Sequence, residues 1–252
     1  MASGLILQVA TRCLILRRIP YGDTSWILHG FSREDGRVSL MARGARRPGS
    51  PFAGALEPLS LVEALYARKA GREIHTLAQA HLLHGWPTVR KDLSRLSAGL
   101  CALEALEFFL TDPLAHEDLF DAAISFLASL EAGHDPALGL ARVLSILGQE
   151  LGLAPRLDSC ARCETQMLPV NPCHSPSFGG ILCDPCAQGS RLARLDPDVH
   201  DALLRLGRGT RPARYDVAVQ CGCEAFLYEH LLAHSRRSLR LEARELWNEV
   251  RP

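Results

Sequence analysis

The stretch Tyr21–Pro48 reads YGDTSWILHGFSREDGRVSLMARGARRP. It predicts two strands, a tight turn and a basic loop. Ser25, Ile27 and the residues beyond Leu28 suit a strand, and Trp26, Leu28 and Phe31 supply apolar weight. Ser32 to Gly36 is a turn, with Asp35-Gly36 as its strongest local signal. Val38, Leu40 and Ala42 then alternate with Arg37, Ser39, Met41 and Arg43, which is the period of a half-buried strand. The segment closes on Arg43-Gly44-Ala45-Arg46-Arg47-Pro48. Five arginines, Arg33, Arg37, Arg43, Arg46 and Arg47, fall within fifteen residues, against Glu34 and Asp35 alone. A small sheet with an arginine-rich rim suits a polyphosphate backbone. The same charges suit a solvated loop that keeps a sheet edge from pairing.

Working outward, residues 6–18 read as a first strand and Ile19 to Gly22 as a turn. Gly49 to Gly54 reads as a loop with room for a short helical turn. Leu56 to Ala67 and Ile74 to Leu83 read as strands four and five, joined by a turn at Lys69 to Arg72. Five short strands in about eighty residues, with no clear crossover helix, predict a barrel of the OB type. In such barrels aromatic side chains stack bases and basic ones follow phosphates. Tyr21, Trp26, Phe31, Phe52 and Tyr66 are candidate platforms, although a small barrel needs its aromatics inside.

Beyond Trp86-Pro87 the period changes to that of helices. Asp92 to Leu110, Glu117 to Leu130, Pro136 to Leu151, Pro197 to Leu206 and Cys223 to Leu241 carry apolar residues at three- and four-residue spacing. Gly133, and Gly152 followed by Pro155, are stop signals. The fold class is therefore α+β and multidomain: an OB barrel at 1–85, a helical domain in two parts at 86–158 and 189–252, and a module at 159–188 between them.

That module carries Cys160-Ala161-Arg162-Cys163 and Cys183-Asp184-Pro185-Cys186, two C-x-x-C turns separated by nineteen residues. Each such turn aims two thiolates at one ion, and two turns complete a tetrahedron. The intervening Glu164 to Leu182 is rich in Pro, Gly and Ser, so a structural Zn²⁺ would supply the core it lacks. Four cysteine ligands leave no open position for catalysis. Cys173 and His174 lie inside the loop as spare residues that could substitute for a ligand. Cys13, Cys101, Cys221 and Cys223 read as packing residues, with Cys221/Cys223 a minor second metal candidate.

The net charge is zero, yet residues 1–90 carry +6 and the remainder −6. The division suggests an anion-binding part and a protein-binding part. No phosphate-binding P-loop, dinucleotide fingerprint, H-E-x-x-H or G-x-S-x-G motif is present, so the expectation is a protein without catalytic residues. His116-Glu117-Asp118 sits where a helix start wants polar and acidic groups. No run approaches the ~18 apolar residues of a membrane span, and no targeting segment is visible. The expected location is cytoplasmic, where nine cysteines point to metal or free thiols rather than disulfides.

Five segments in order resemble the bacterial recombination-repair RecO family, over nearly the whole chain. Arg17-Arg18-Ile19-Pro20-Tyr21-Gly22-Asp23-Thr24-Ser25 is similar to the family's opening, with Asp23 where Glu is usual. Phe31 to Arg37 and Ala42 to Ser50 are similar to its turn and basic loop. Leu147 to Cys163, LGQELGLAPRLDSCARC, and Ser175 to Cys186, SPSFGGILCDPC, resemble the passages into and out of the zinc loop. His230 to His234 with Arg237 to Leu241 is similar to the terminal helix.

The resemblance implies an OB fold, a helical domain and a zinc module. It implies binding of single- and double-stranded DNA, annealing of complementary strands, and action with RecR and sometimes RecF. It also implies RecA loading on DNA coated by single-strand-binding protein, whose acidic tail is contacted, and so a nucleoid-associated location. Arg33, Arg37, Arg43, Arg46 and Arg47 are the expected phosphate contacts. A second basic group, Arg205, Arg208, Arg211 and Arg214, could extend the DNA path or receive an acidic partner, with solvation as its plainer role. The competing reading is a zinc-stabilised adaptor whose helices bind proteins and whose basic barrel is incidental.

Overall fold

The computed structural model describes residues 6–166, 169–210, 215–235 and 242–251. It divides into two compact units, residues 1–133 and 134–252. The first contains β1 (Ile6–Tyr21), β2 (Ser25–Ser32), β3 (Gly36–Ala42), β4 (Leu61–Lys69) and β5 (Ile74–His84), then α1 (Leu93–Phe109) and α2 (Glu117–Glu131). The strands close into a barrel in the order β1-β2-β3-β5-β4, the five-stranded OB arrangement that the strand pattern predicts. Only β3 and β5 run parallel.

Alternation explains how the barrel fills. Along β3, Val38, Leu40 and Ala42 are buried while Arg37, Ser39 and Met41 are only partly so. Cys13, Ile15, Leu28, Val62, Ala64, Tyr66 and Leu77 join them in one core cluster. Phe31 is also fully buried and meets Phe120 of α2 edge-on, with ring centroids 5.4 Å apart. Such a pair contributes about 1 kcal/mol beyond its area burial.

The first strand departs from expectation. β1 does not stop at Arg18; it continues to Tyr21, and the turn is Gly22-Asp23-Thr24. Pairing supplies the reason. Ile19, Pro20 and Tyr21 face Ile27, Trp26 and Ser25 across the hairpin, so the β2 ladder extends a strand that Pro20 would otherwise end. A register shift between Ile15 and Arg17 bends β1 so that it can pair with both β2 and β4. At the next turn Gly36 has φ +62°, and a Cβ there would lie 1.8 Å from the Leu114 carbonyl oxygen. Only glycine fits.

The second unit contains α3 (Pro136–Glu150), β6 (Cys173–Ser175), β7 (Gly180–Leu182), α4 (Asp184–Ala187), α5 (Pro197–Gly207), α6 (Val217–Ala233) and α7 (Glu242–Val250). Asp135, Asp196 and Asp216 cap α3, α5 and α6 through their side chains, satisfying backbone N–H groups that helix starts leave open. At Gly222 of α6 an added Cβ would lie 2.7 Å from Val199 of α5, which shows how closely those helices approach. The helix expected at Cys223 to Leu241 instead begins at Val217 and ends at Ala233. Asp216 starts it, and residues 236–241 lie outside the described residues. Glu224 of α6 is fully buried and ion-pairs with Arg244 and Arg251, the first within α7 and the second just after it. Two guanidiniums thereby offset the desolvation cost of one buried carboxylate.

Candidate nucleic-acid interface and metal centre

The basic loop starts where β3 ends. Its backbone is tied to the β1–β2 turn, because Arg46 N donates to Thr24 O at 2.9 Å. Arg47 N to Gly44 O (3.0 Å) and Ser50 N to Arg47 O (3.1 Å) close successive turns. The Arg46 guanidinium donates to Gly22 O at 3.1 Å and sits 5.1 Å from the Trp26 ring centroid. Arg18 reaches the same ring at 4.7 Å and ion-pairs with Glu57. Arg43, Arg46 and Arg47 are all exposed. Among the described residues, no carboxylate pairs with any of these three.

The other two arginines of the cluster are placed differently. Arg33 holds Asp121 of α2 with two hydrogen bonds of 3.1 Å, and its Nη1 lies 2.6 Å from Glu117. The hydrogen bond from Arg33 holds the Asp121 carboxyl below the usual range. Arg37 donates to the carbonyls of Glu107 (3.4 Å) and Leu110 (3.1 Å), at the C-terminal end of α1, where a cation is favoured. The Glu107 carboxylate also receives His29 at 2.7 Å, with Arg17 at 3.7 Å. Burial alone would raise its pKa, but the His29 hydrogen bond and the charges of Arg17, His29 and Arg37 outweigh that and hold it down. The structure thus separates the cluster: Arg33 and Arg37 clamp helices to the strands, while Arg43, Arg46 and Arg47 face solvent together.

Of the aromatic candidates, Phe31, Phe52 and Tyr66 are buried. Tyr21 is 56% exposed and Trp26 half-buried, and both stand beside the β1–β2 turn that anchors the loop. In the second basic group, Arg205 pairs with Asp201 at 2.8 Å, and Arg208 is exposed after α5. Arg211 and Arg214 lie outside the described residues.

Cys160, Cys163, Cys183 and Cys186 converge, with all four sulfur atoms within 4.8 Å of one another. Cys163 Sγ and Cys183 Sγ are 3.6 Å apart, close to the ~3.8 Å edge of a tetrahedron with ~2.3 Å zinc–sulfur bonds. Burial opposes ionisation of Cys160, but N–H groups of Cys183, Cys163 and Arg162 draw it down to about 6. Cys186 is pushed up to about 12 by sharing its proton with Cys183 and Cys163. Four thiols this close ionise together only around a cation, so the donor set fits a divalent metal. The fold carries the two turns to each other: Ala161 N donates to Ile181 O at 2.8 Å and Cys183 N to Cys160 Sγ at 3.4 Å. Cys173 packs in the small core beneath the four cysteines. His174 turns away from them to His230 of α6.

The Recombination protein O N terminal family model matches residues 6–86, and the Recombination protein O C terminal model matches residues 90–240. The chain belongs to the RecO family. By family it is a recombination and DNA-repair protein. The DNA repair protein RecO of Anaeromyxobacter dehalogenans (strain 2CP-C) is 33% identical over 249 residues, covering 95% of each chain. Relatives of the same name from Rubrobacter xylanophilus and Exiguobacterium sibiricum are 33% and 31% identical. They cover 70% and 68% of this chain, and 70% and 67% of their own. No helix among the described residues is long and apolar enough to cross a membrane.

Sequence reasoning missed the groups that sort the arginines. Glu107, Glu117 and Asp121 stand 70 or more residues from the arginines they engage. Glu117 and Asp118 do open α2 as expected, but the second task of Glu117 is set by where α2 packs. The Arg18–Trp26–Arg46 arrangement had one visible signal, an arginine and a tryptophan on adjacent strands, and its reading needed the β1–β2 register and the path of the loop after β3.

Proposed function

We propose that this protein is a non-catalytic recombination mediator that binds DNA through the loop after β3. The carrying observation is that Arg43, Arg46 and Arg47 are exposed, lack carboxylate partners among the described residues, and share a loop anchored at Thr24 and Gly22. Cations held this way release counterions from phosphates, the main source of affinity for nucleic acid. Single and double strands both present a row of phosphates, so the loop serves both. Neutralising two strands on one surface removes the repulsion that opposes annealing. Arg33 and Arg37 act one step back, holding α1 and α2 to the strands that carry the loop.

On this reading the protein works in the cytoplasm at the nucleoid, with RecR and in some settings RecF, and helps load RecA on DNA coated by single-strand-binding protein. The resemblance in the Arg17–Ser25 and Ala42–Ser50 segments supports those partners. A zinc ion on Cys160, Cys163, Cys183 and Cys186 is structural: it neutralises the thiolates and replaces the core that the Glu164–Leu182 segment lacks. Reversing charge at Arg43, Arg46 and Arg47 together to Glu tests the proposal. Oligonucleotide titrations across salt concentrations should show weaker binding and a flatter dependence of log K on log salt. Unchanged binding removes it.

A further inference from the structure

The arginines near the barrel are held by two kinds of partner. Arg33 is held by carboxylates, and Arg37 lies against carbonyls and the His29–Glu107 pair, so most of their charge is spent inside the molecule. Arg46 is held by neutral groups: the Gly22 carbonyl, the Thr24 carbonyl through its own backbone N–H, and the Trp26 ring. A π face attracts a guanidinium without cancelling its charge. Arg18 approaches the same ring from β1, while Arg46 comes from the loop beyond β3, so one indole lies between contributions from both neighbours of β2. Glu57 compensates Arg18, which leaves Arg46 as the cation that the ring presents uncompensated. Trp26 is itself held, since its inner part packs against the barrel core.

We infer that Trp26 is a positioning residue for the phosphate-binding loop, whose indole presents the Arg46 guanidinium to a polyanion rather than stacking a base. The inference rests on the DNA-binding reading above and assigns the ring a task within it. Guanidinium groups already occupy ring surface that a base would need. A residue with this role acts through Arg46 alone. Removing the ring should therefore reproduce part of the effect of removing the cation, and removing both should add nothing to removing the cation alone.

The test is an equilibrium titration of the full chain with a fluorescent oligothymidine at several salt concentrations. It uses Trp26→Leu, Arg46→Ala, the double variant, and the triple charge reversal of Arg43, Arg46 and Arg47. Leucine keeps apolar packing at position 26 and removes the π face. Matched thermal midpoints, or Trp26→Phe retaining parental binding where Trp26→Leu is unstable, separate positioning from folding. Trp26→Leu should weaken binding about two- to fivefold, as expected for an exposed cation–π contact. It should also lower the salt slope, by up to the ~0.7 that one single-strand phosphate contact contributes, and the double variant should match Arg46→Ala. Parental affinity in Trp26→Leu overturns the inference. So does weakening that adds to that of Arg46→Ala with an unchanged slope, the signature of base stacking. If the triple variant loses binding while Trp26→Leu does not, the positioning role alone falls. If the triple variant binds like the parent, the loop itself is not the DNA contact.

Discussion

His174 Nε2 lies 3.3 Å from His230 Nδ1, joining strand β6 of the cysteine module to helix α6. The other nitrogen of His230 lies 3.1 Å from the Leu153 carbonyl oxygen, which only accepts. The proton of neutral His230 is therefore on Nε2, its Nδ1 is the acceptor, and His174 donates from Nε2. Protonating His230 would set two donors against each other.

Acid should weaken this link. Burial pushes His174 and His230 each down to about 4, with His234, and for His174 also His230, adding like-charge repulsion. Both folded values lie below the ordinary 6.5, so the unfolded chain binds more protons between these values. The stabilisation is present above pH 6.5 and is lost as pH falls toward 4. Denaturant unfolding should show a loss on the order of 2 kcal/mol between pH 7 and pH 5, after discounting for partial exposure. In His174→Gln, whose amide can still donate to His230, the loss should be smaller. Equal losses in the two proteins would remove the assignment.

Arg37→Ala should cost stability rather than DNA affinity. It takes a cation from the C-terminal carbonyls of α1 and one of the charges facing Glu107. Losing charged hydrogen bonds at a part-buried site costs about 1–3 kcal/mol, readable as a lowered thermal midpoint. The salt slope of DNA binding should match the parent, in contrast with Arg43→Ala or Arg47→Ala.

Gly36→Ala should be among the most damaging single-atom additions in the barrel. It combines a left-handed backbone with a collision at the Leu114 carbonyl. A loss above about 2 kcal/mol is expected, since strain at positive φ adds to the displaced contact. Gly22 also has positive φ, with no atom within 4 Å of an added Cβ. Gly22→Ala should therefore lose distinctly less in the same unfolding assay.

Purified protein should carry one zinc per chain by elemental analysis, and Cys160→Ala with Cys183→Ala should carry none. Removing the ion leaves four thiols crowded within 4.8 Å. Limited proteolysis should then cut within Glu164–Leu182 first, because Cys173, Ile181 and Leu182 are its only buried hydrophobic side chains among the described residues. Resistance to cleavage in a zinc-free preparation would show that the module folds without metal.

Local chemistry made much of this molecule readable from its residues alone. Period-two alternation at Val38, Leu40 and Ala42, the Asp35-Gly36 turn, and aspartates and prolines at helix starts each express themselves within a few residues of chain. The two C-x-x-C turns likewise announce a four-thiol site, because each pair is preset by its own turn. Which arginines remain available to an anion is a different kind of fact. Arg33 and Arg43 look alike in the sequence, but α2 delivers Asp121 to Arg33 from 88 residues away, and no carboxylate pairs with Arg43 among the described residues. Likewise, neither the His174–His230 contact nor the seating of Arg46 against Trp26 follows from local pattern. Pairings between distant segments depend on strand register and helix packing, and those are settled only when the whole chain closes on its core.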